Sequence, residues 1–306
     1  IALQFVLLAL GFVMLGKGAD WFVEGAAGIA MRFGIPQLVI GLTIVAMGTS
    51  APEAAVSIAA AVKGNADITI GNIVGSNILN ILVILGLAAS IVPIAVARST
   101  VRIEIPFMIG VTALLFYQGR DGSISLADGG VLMVAFAVYM MYLYTMAMKS
   151  NVDSDLEEPG LPLGRCLLGA VGGLALIIAG SNVTVGAATS IATYAGLSER
   201  FIGLTIVALG TSLPELFTSV AAARRGNADI AIGNIVGSNI FNILFVVGLS
   251  SLIIDIPFAS AFNFDTYVAL GAAVLLWLCV LRTQRLQRWA GALMLVCYAA
   301  YLGHIL

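Results

Sequence analysis

One stretch of this chain occurs twice. Gly41–Leu87 aligns without a gap onto Gly203–Leu249 at a constant offset of 162, and 34 of the 47 paired positions are identical. GLTIVAMGTSAPE matches GLTIVALGTSLPE, and GNADITIGNIVGSNILNIL matches GNADIAIGNIVGSNIFNIL. The same offset weakly reaches Gly18-Ala19-Asp20 and Gly180-Ser181-Asn182. A duplicated scaffold without a site would keep its apolar packing residues. Here the identity concentrates in polar and glycine positions, so the two copies are read as sharing a functional site.

The medium follows from composition. Of 306 residues, 60% are apolar and 10% charged, whereas a soluble domain carries about 25% charged residues. Mean hydropathy is +1.07. A net charge of −2 without a Lys/Arg-rich run excludes a nucleic-acid partner. Cys166, Cys279 and Cys297 have no CxxC spacing and read as small apolar side chains. The fold class is an all-α polytopic membrane protein.

A crossing helix needs about 20 apolar residues. Ten spans are predicted, near 2–27, 36–62, 68–92, 101–118, 127–148, 164–193, 200–223, 229–254, 265–281 and 289–306. The first lacks a basic leader and a cleavage site and continues into Lys17, Asp20 and Glu24, so it counts as a span and not as a signal peptide. Residues 149–163 form an acidic linker between a first five-helix repeat, 1–148, and a second, 164–306. Arg32, Arg98, Arg102, Lys149, Arg165, Arg224, Arg225, Arg282, Arg285 and Arg288 fall on one side, against Lys63, Arg120 and Arg200 on the other. The basic side is cytoplasmic, which puts the linker inside the cell and both termini outside, in the cell (inner) membrane. An odd number of crossings separates the copies, so the repeats are inverted. That design recurs in secondary transporters, whose site lies at the repeat interface near the midplane.

The chemistry concentrates in four helices. Thr49, Ser50 and Glu53 share a helical face, and Pro52 cannot bond the carbonyl of Gly48. The helix should open there and release carbonyls around Ala46–Gly48. Thr211, Ser212, Pro214 and Glu215 repeat the pattern, with carbonyls around Ala208–Gly210. Asn72, Ser76 and Asn80 form a stripe adjoined by Asn77, matched by Asn234, Ser238 and Asn242 adjoined by Asn239. Gly71 and Gly75, like Gly233 and Gly237, should allow close helix approach. Each mid-membrane carboxylate costs about 2.5–3.5 kcal/mol unless paired, protonated or cation-bound, and no basic residue lies at comparable depth. Most other candidate groups offer oxygen, which suits calcium with its 6–8 oxygen ligands. His304 and the cysteines lie elsewhere, which disfavours zinc and copper.

The paired GTSAPE/GTSLPE and GNIVGSN segments resemble the alpha repeats of the cation/calcium exchanger superfamily, most closely its prokaryotic sodium/calcium exchanger branch. The resemblance implies ten helices and alternating access, with the first and sixth helices sliding past the rest. It implies a central site where calcium competes with sodium. Carried over by position, that site comprises Thr49, Ser50, Glu53, Ser76 and Asn80, then Thr211, Ser212, Glu215, Ser238 and Asn242, with carbonyls of Ala46 and Ala208 for flanking sodium ions. Members that exchange sodium often carry aspartate where this chain has Asn242, so the driving ion stays open between sodium and protons.

The expected function is therefore a calcium/sodium antiporter without a bound cofactor, its partners being calcium, sodium and membrane lipid. The same antiporter driven by protons is the alternative. Neither a channel-like ring of filter loops nor a deep Lys or His to activate a serine is present, which argues against a channel and a hydrolase. No obligate protein partner is implied. Asp67 and Asp229 read as helix-start residues, and Asp20, Glu24 and Lys17 as an interfacial charge cluster. Trp21, Trp277, Trp289 and the tyrosines read as interface anchors. The linker lacks the glycine and ligand spacing of a calcium loop.

Overall fold

The computed structural model of the protein describes residues 2–64, 66–150, 161–196 and 208–305. It is helical almost throughout. In chain order the helices are α1 (Ala2–Arg32), α2 (Gln37–Thr49), α3 (Ala51–Val62), α4 (Ile68–Ile91), α5 (Thr100–Gly119), α6 (Leu126–Lys149), α7 (Leu163–Tyr194), α8 (Ala208–Thr211), α9 (Leu213–Arg224), α10 (Ala228–Ile253), α11 (Ala261–Leu281) and α12 (Arg288–Ile305). Among the described residues seven of these are long and apolar enough to cross a membrane, or eight when the bent pair α2/α3 counts as one span. The tenth expected span corresponds to α12, which is helical but not among those seven. Residues 200–207 of the seventh expected span, and 151–160 of the acidic linker, lie outside the described residues.

Four two-residue strands reveal how the copies are arranged. β1 (Ile94–Ala95) pairs antiparallel with β4 (Arg285–Leu286), and β2 (Ser123–Ile124) with β3 (Ile256–Pro257). β1 precedes α5 and β2 follows it; β3 precedes α11 and β4 follows it. The start of α5 is thus stapled to the end of α11 and the reverse, so these equivalent helices run in opposite directions. The α1/α7 pair repeats the relation. A methyl added at Gly18 would lie 2.9 Å from the carbonyl oxygen of Gly173, and one added at Gly180 would lie 3.0 Å from that of Gly11. These glycines are seven residues apart on each helix, and they let two backbones meet without side chains between them.

Burial separates the core from the periphery. In the most apolar 18-residue stretch of each helix, 94% of α10 and 78% of α4 are buried, against 17% of α6. Val134, Val138 and Met141 on α6, like Leu3, Val6 and Val13 on α1, project outward as an apolar face suited to lipid. Trp21 and Trp289 are exposed, as interface anchors should be. Trp277 instead turns inward, its indole N–H donating to the carbonyl of Val101 at 2.9 Å and tying α11 to α5. Asp20 and Glu24 are joined not by Lys17 but by Arg225, whose guanidinium reaches both carboxylates at 3.2 Å. Asp229 sits in the first turn of α10, where a carboxylate favours the positive end of the helix dipole; the side chain of Asp67 is outside the described residues.

The glycine contacts generate a direct test. Gly173→Ala drives a methyl into the backbone of Gly18 and Phe22 and should destabilise the protein by about 1–3 kcal/mol. Gly172→Ala, one residue away, meets nothing within 4 Å among the described residues and should be neutral or stabilising by about 0.5–1 kcal/mol. Thermal unfolding of the two variants in detergent distinguishes them by sign.

Candidate functional site

Both broken helices are built the same way. α2 stops at Thr49, Ser50 takes φ −81 and ψ 7, and α3 restarts with Pro52 in its first turn, bent by 51°. Ser212 takes φ −90 and ψ 4 before α9, with Pro214 in its first turn. Proline suits this place because the first helical N–H groups lack an intrahelical acceptor in any case. The break falls at Ser50, later than the expected carbonyl release. The Ala46 carbonyl still accepts the Ser50 N–H at 3.0 Å, and the hydroxyls of Thr49 and Ser238 each donate to it at 3.3 Å. At the second break, the Gly210 carbonyl accepts from Ser181 Oγ at 2.7 Å.

Each break aims its acid at the other copy. Ser50 donates to Glu215 Oε1 at 2.8 Å, and Ser212 to Glu53 Oε1 at 3.4 Å. Thr49 and Thr211 flank the same two carboxyls in the same crossed sense. Both glutamates are 1% exposed, and they lie close enough to repel each other. Ser50, Ser76, Asn80, Ser212, Ser238 and Asn242 are buried as well. The structure thus joins Thr49 and Ser50 to Glu215, and Thr211 and Ser212 to Glu53. Ala208 contributes its place at the start of α8, and nothing is described of its side chain.

α4 and α10 face each other through reciprocal amide bonds. Asn77 Nδ2 donates to the Asn239 carbonyl and Asn239 Nδ2 to that of Asn77, each at 3.2 Å. Asn80 Nδ2 donates to Asn239 Oδ1 at 2.9 Å, and Asn242 Nδ2 to Asn77 Oδ1 at 3.1 Å. A contact in which i meets j and j meets i marks a two-fold axis. A wide helical turn starts at Asn80 and another at Asn242; such turns recur at functional sites. Close approach is provided by Gly233 and Gly237, packed on Gly41, Leu42 and Ala46. Gly71 faces the ring of Phe262 instead.

The stripe residues Asn72 and Asn234 prove to be braces. Asn72 Nδ2 donates to the Glu53 carbonyl at 3.2 Å and to Ser57 Oγ at 2.9 Å; Asn234 Nδ2 does the same to Glu215 and Ser219 at 3.4 and 2.9 Å. Thr49 Oγ1 also donates to Asn234 Oδ1 at 3.0 Å. The roles of Ser57, Ser219 and the Asn77/Asn239 pair were not assigned from sequence, although the offset of 162 relates both pairs.

The distribution of unsatisfied atoms gives the site its chemistry. Glu53 Oε2, Glu215 Oε2, Asn80 Oδ1 and Asn242 Oδ1 are all buried without a hydrogen-bond partner among the described residues. All four are oxygens, and all belong to two symmetric pairs. Buried acceptors left without donors are destabilising, and a set containing two carboxylates calls for positive charge.

Comparison with known proteins agrees with this geometry. The sodium/calcium exchanger protein family matches the chain twice, at residues 3–145 and 166–306. The putative antiporter CaxA of Alkalimonas amylolytica is 40% identical over 97% of this chain and 96% of its own length. The sodium/calcium exchanger MaX1 of Methanosarcina acetivorans is 33% identical over 99% and 98%, and the inner membrane protein YrbG of Escherichia coli is 40% identical over 81% and 79%. The solved sodium-calcium exchanger NCX_Mj, soaked with sodium and strontium, superposes with a TM-score of 0.86 at 34% identity, covering 99% of this chain and 98% of that one. Matched over nearly its whole length in both sequence and shape, this chain is an integral membrane protein that belongs to the sodium/calcium exchanger family, a family of cation exchangers and not of enzymes.

Proposed function

We propose that the chain is a secondary active antiporter that exports calcium in exchange for inward sodium by alternating access. The observation that carries this reading is the set of four donor-less oxygens on Glu53, Glu215, Asn80 and Asn242. Calcium sits between the two glutamates, with Thr49, Ser50, Ser76, Asn80, Thr211, Ser212, Ser238 and Asn242 supplying further oxygen, and carbonyls of Ala46 and Ala208 serve the flanking sodium ions. Ten spans form two inverted repeats, 1–148 and 164–306, joined by the cytoplasmic linker 149–163, in the inner membrane with both termini outside. The opposed directions of α1 and α7 and of α5 and α11 support the inversion.

Exchange follows from charge balance. Two bare carboxylates resist transfer through a low-dielectric barrier, because each loses its hydration without compensation. One calcium or two monovalent cations cancel them. The loaded carrier therefore reorients and the empty one does not, and that asymmetry is what makes the cycle an obligatory swap. Two protons satisfy the same rule, and amides at both Asn80 and Asn242 leave no third acid, so proton drive is the second reading.

Glu53→Gln or Glu215→Gln should abolish calcium exchange by at least about two orders of magnitude, since removing one partner of a buried charge set costs about 3–5 kcal/mol. Each variant should remain extractable and monodisperse, and wild-type flux from either would exclude the assigned site. Calcium-loaded proteoliposomes separate the drivers. A sodium gradient should release calcium at fixed pH; release only under a proton gradient selects the second reading, and flux without any counter-ion would point to a channel.

A further inference from the structure

A second buried acid lies outside the cation site. Glu104, 0% exposed, closes the wide first turn of α5, Thr100–Glu104. Its Oε1 accepts from the hydroxyl of Tyr142 on α6. Its Oε2 has no hydrogen-bond partner among the described residues, nor has the hydroxyl of Tyr139, one turn earlier on α6, while the hydroxyl of Thr100, one turn earlier on α5, lies beside the carboxyl. Glu104, Tyr139 and Tyr142 line a cavity of about 170 Å³ whose other walls are Ile103, Phe107 and Val138. Phe107 stacks on the Tyr139 ring at 5.4 Å, and Trp277 bonds the carbonyl of Val101 in the same turn. No lysine or arginine pairs with Glu104 among the described residues, where Arg225 makes the recorded ion pairs. The charged or titratable groups facing it are Tyr139 and Tyr142 from α6 and, from the start of α10, the further carboxylate Asp229.

The second copy offers an internal comparison. The offset of 162 takes Glu104 to Thr266, Tyr139 to Tyr301 and Tyr142 to His304. Thr266 is buried and neutral, its hydroxyl donating to the Phe262 carbonyl at 2.7 Å. The acid there is the adjacent Asp265, which accepts from Tyr301 at 2.8 Å and is partly exposed. An acid–tyrosine bond therefore links the fourth and fifth helices of each half. In the second half the charge is placed toward solvent and a neutral group fills the buried position.

We infer that Glu104 is a proton-binding site separate from the exchanged cations. A carboxylate ion here would sit beside an apolar cavity with no counter-charge and with Asp229 nearby, which is strongly unfavourable. Three hydroxyls and the few remaining oxygens are too sparse a shell for a metal cation, which wants about six or more. One proton on Oε2 removes the charge and supplies one donor to the neighbouring hydroxyl oxygens. Tyr142 keeps its bond to Oε1. Loss of that proton at alkaline pH places an uncompensated charge between α5 and α6 and loosens this pair without touching Glu53 or Glu215.

Infrared spectroscopy of the full chain in a Glu53→Gln, Glu215→Gln background reads this site directly and does not depend on transport. A protonated-carboxyl band should be present at neutral pH, vanish with Glu104→Gln, and shift in frequency with Tyr142→Phe. In the otherwise unmodified protein, the melting temperature should fall as pH rises from the ordinary carboxyl range, because the folded state holds a proton that the unfolded chain has released, and Glu104→Gln should flatten that dependence. Unchanged infrared spectra on replacing Glu104 at neutral pH, or a band that titrates with exposed carboxylates in the acid range, would overturn the inference. If Glu104→Gln fails to fold, the Tyr142→Phe shift alone decides, because a band insensitive to Tyr142 does not belong to Glu104.

Discussion

The centre of this molecule is an unmet electrostatic demand. Glu53 and Glu215 stand within mutual repulsion, each with one oxygen held by a serine and the other without a hydrogen-bond partner among the described residues. In a watery cleft such a pair would be unremarkable chemistry. Buried as it is here, each such charge is costly unless compensated. The bends at Ser50 and Ser212, the wide turns at Asn80 and Asn242 and the crossed hydroxyls all direct oxygen inward. The braces Asn72 and Asn234 use their donors on the backbone behind the acids, leaving the acids themselves open.

The arrangement also explains why the scaffold is so rich in glycine. The equivalent helices α1 and α7 meet backbone to backbone where side chains are absent, at Gly11 against Gly180 and Gly18 against Gly173. The strand pairs at both ends of α5 and α11 hold the outer helices to the same symmetry. Departures from it are local. Ser181 bonds the carbonyl of Gly210, and the position equivalent to Ser181 is Ala19, which has no hydroxyl to offer Gly48. Between the halves, the acid–tyrosine bonds differ in register by one residue at the acid and three at the tyrosine.

Much of the architecture was legible in the sequence because a membrane reduces the problem to long apolar runs and their interruptions. The duplicated polar residues identified themselves, since neither packing nor lipid contact explains an identical Thr-Ser-x-Pro-Glu in two places. What stayed hidden depended on partners. Trp277 looks like an interface anchor until the carbonyl of Val101 appears beside it, and Arg225 is an ordinary basic residue until α1 brings Asp20 and Glu24 to it. Proline marked the breaks but not their exact phase, because the Ser50 N–H can still reach back to Ala46 before the helix turns. Glu104 carried no motif at all, and only its burial beside two tyrosines sets it apart.

The reciprocal amides have a bearing on ancestry. Asn77 and Asn80 donate only to the opposite copy in the bonds that shape the site, and Asn239 and Asn242 return them. One copy alone thus owns neither a finished wall nor a matched acid. A single-unit forerunner with these residues would have been complete only on meeting its own twin, inserted upside down. Gene fusion would then have fixed a partnership that the hydrogen bonds already required.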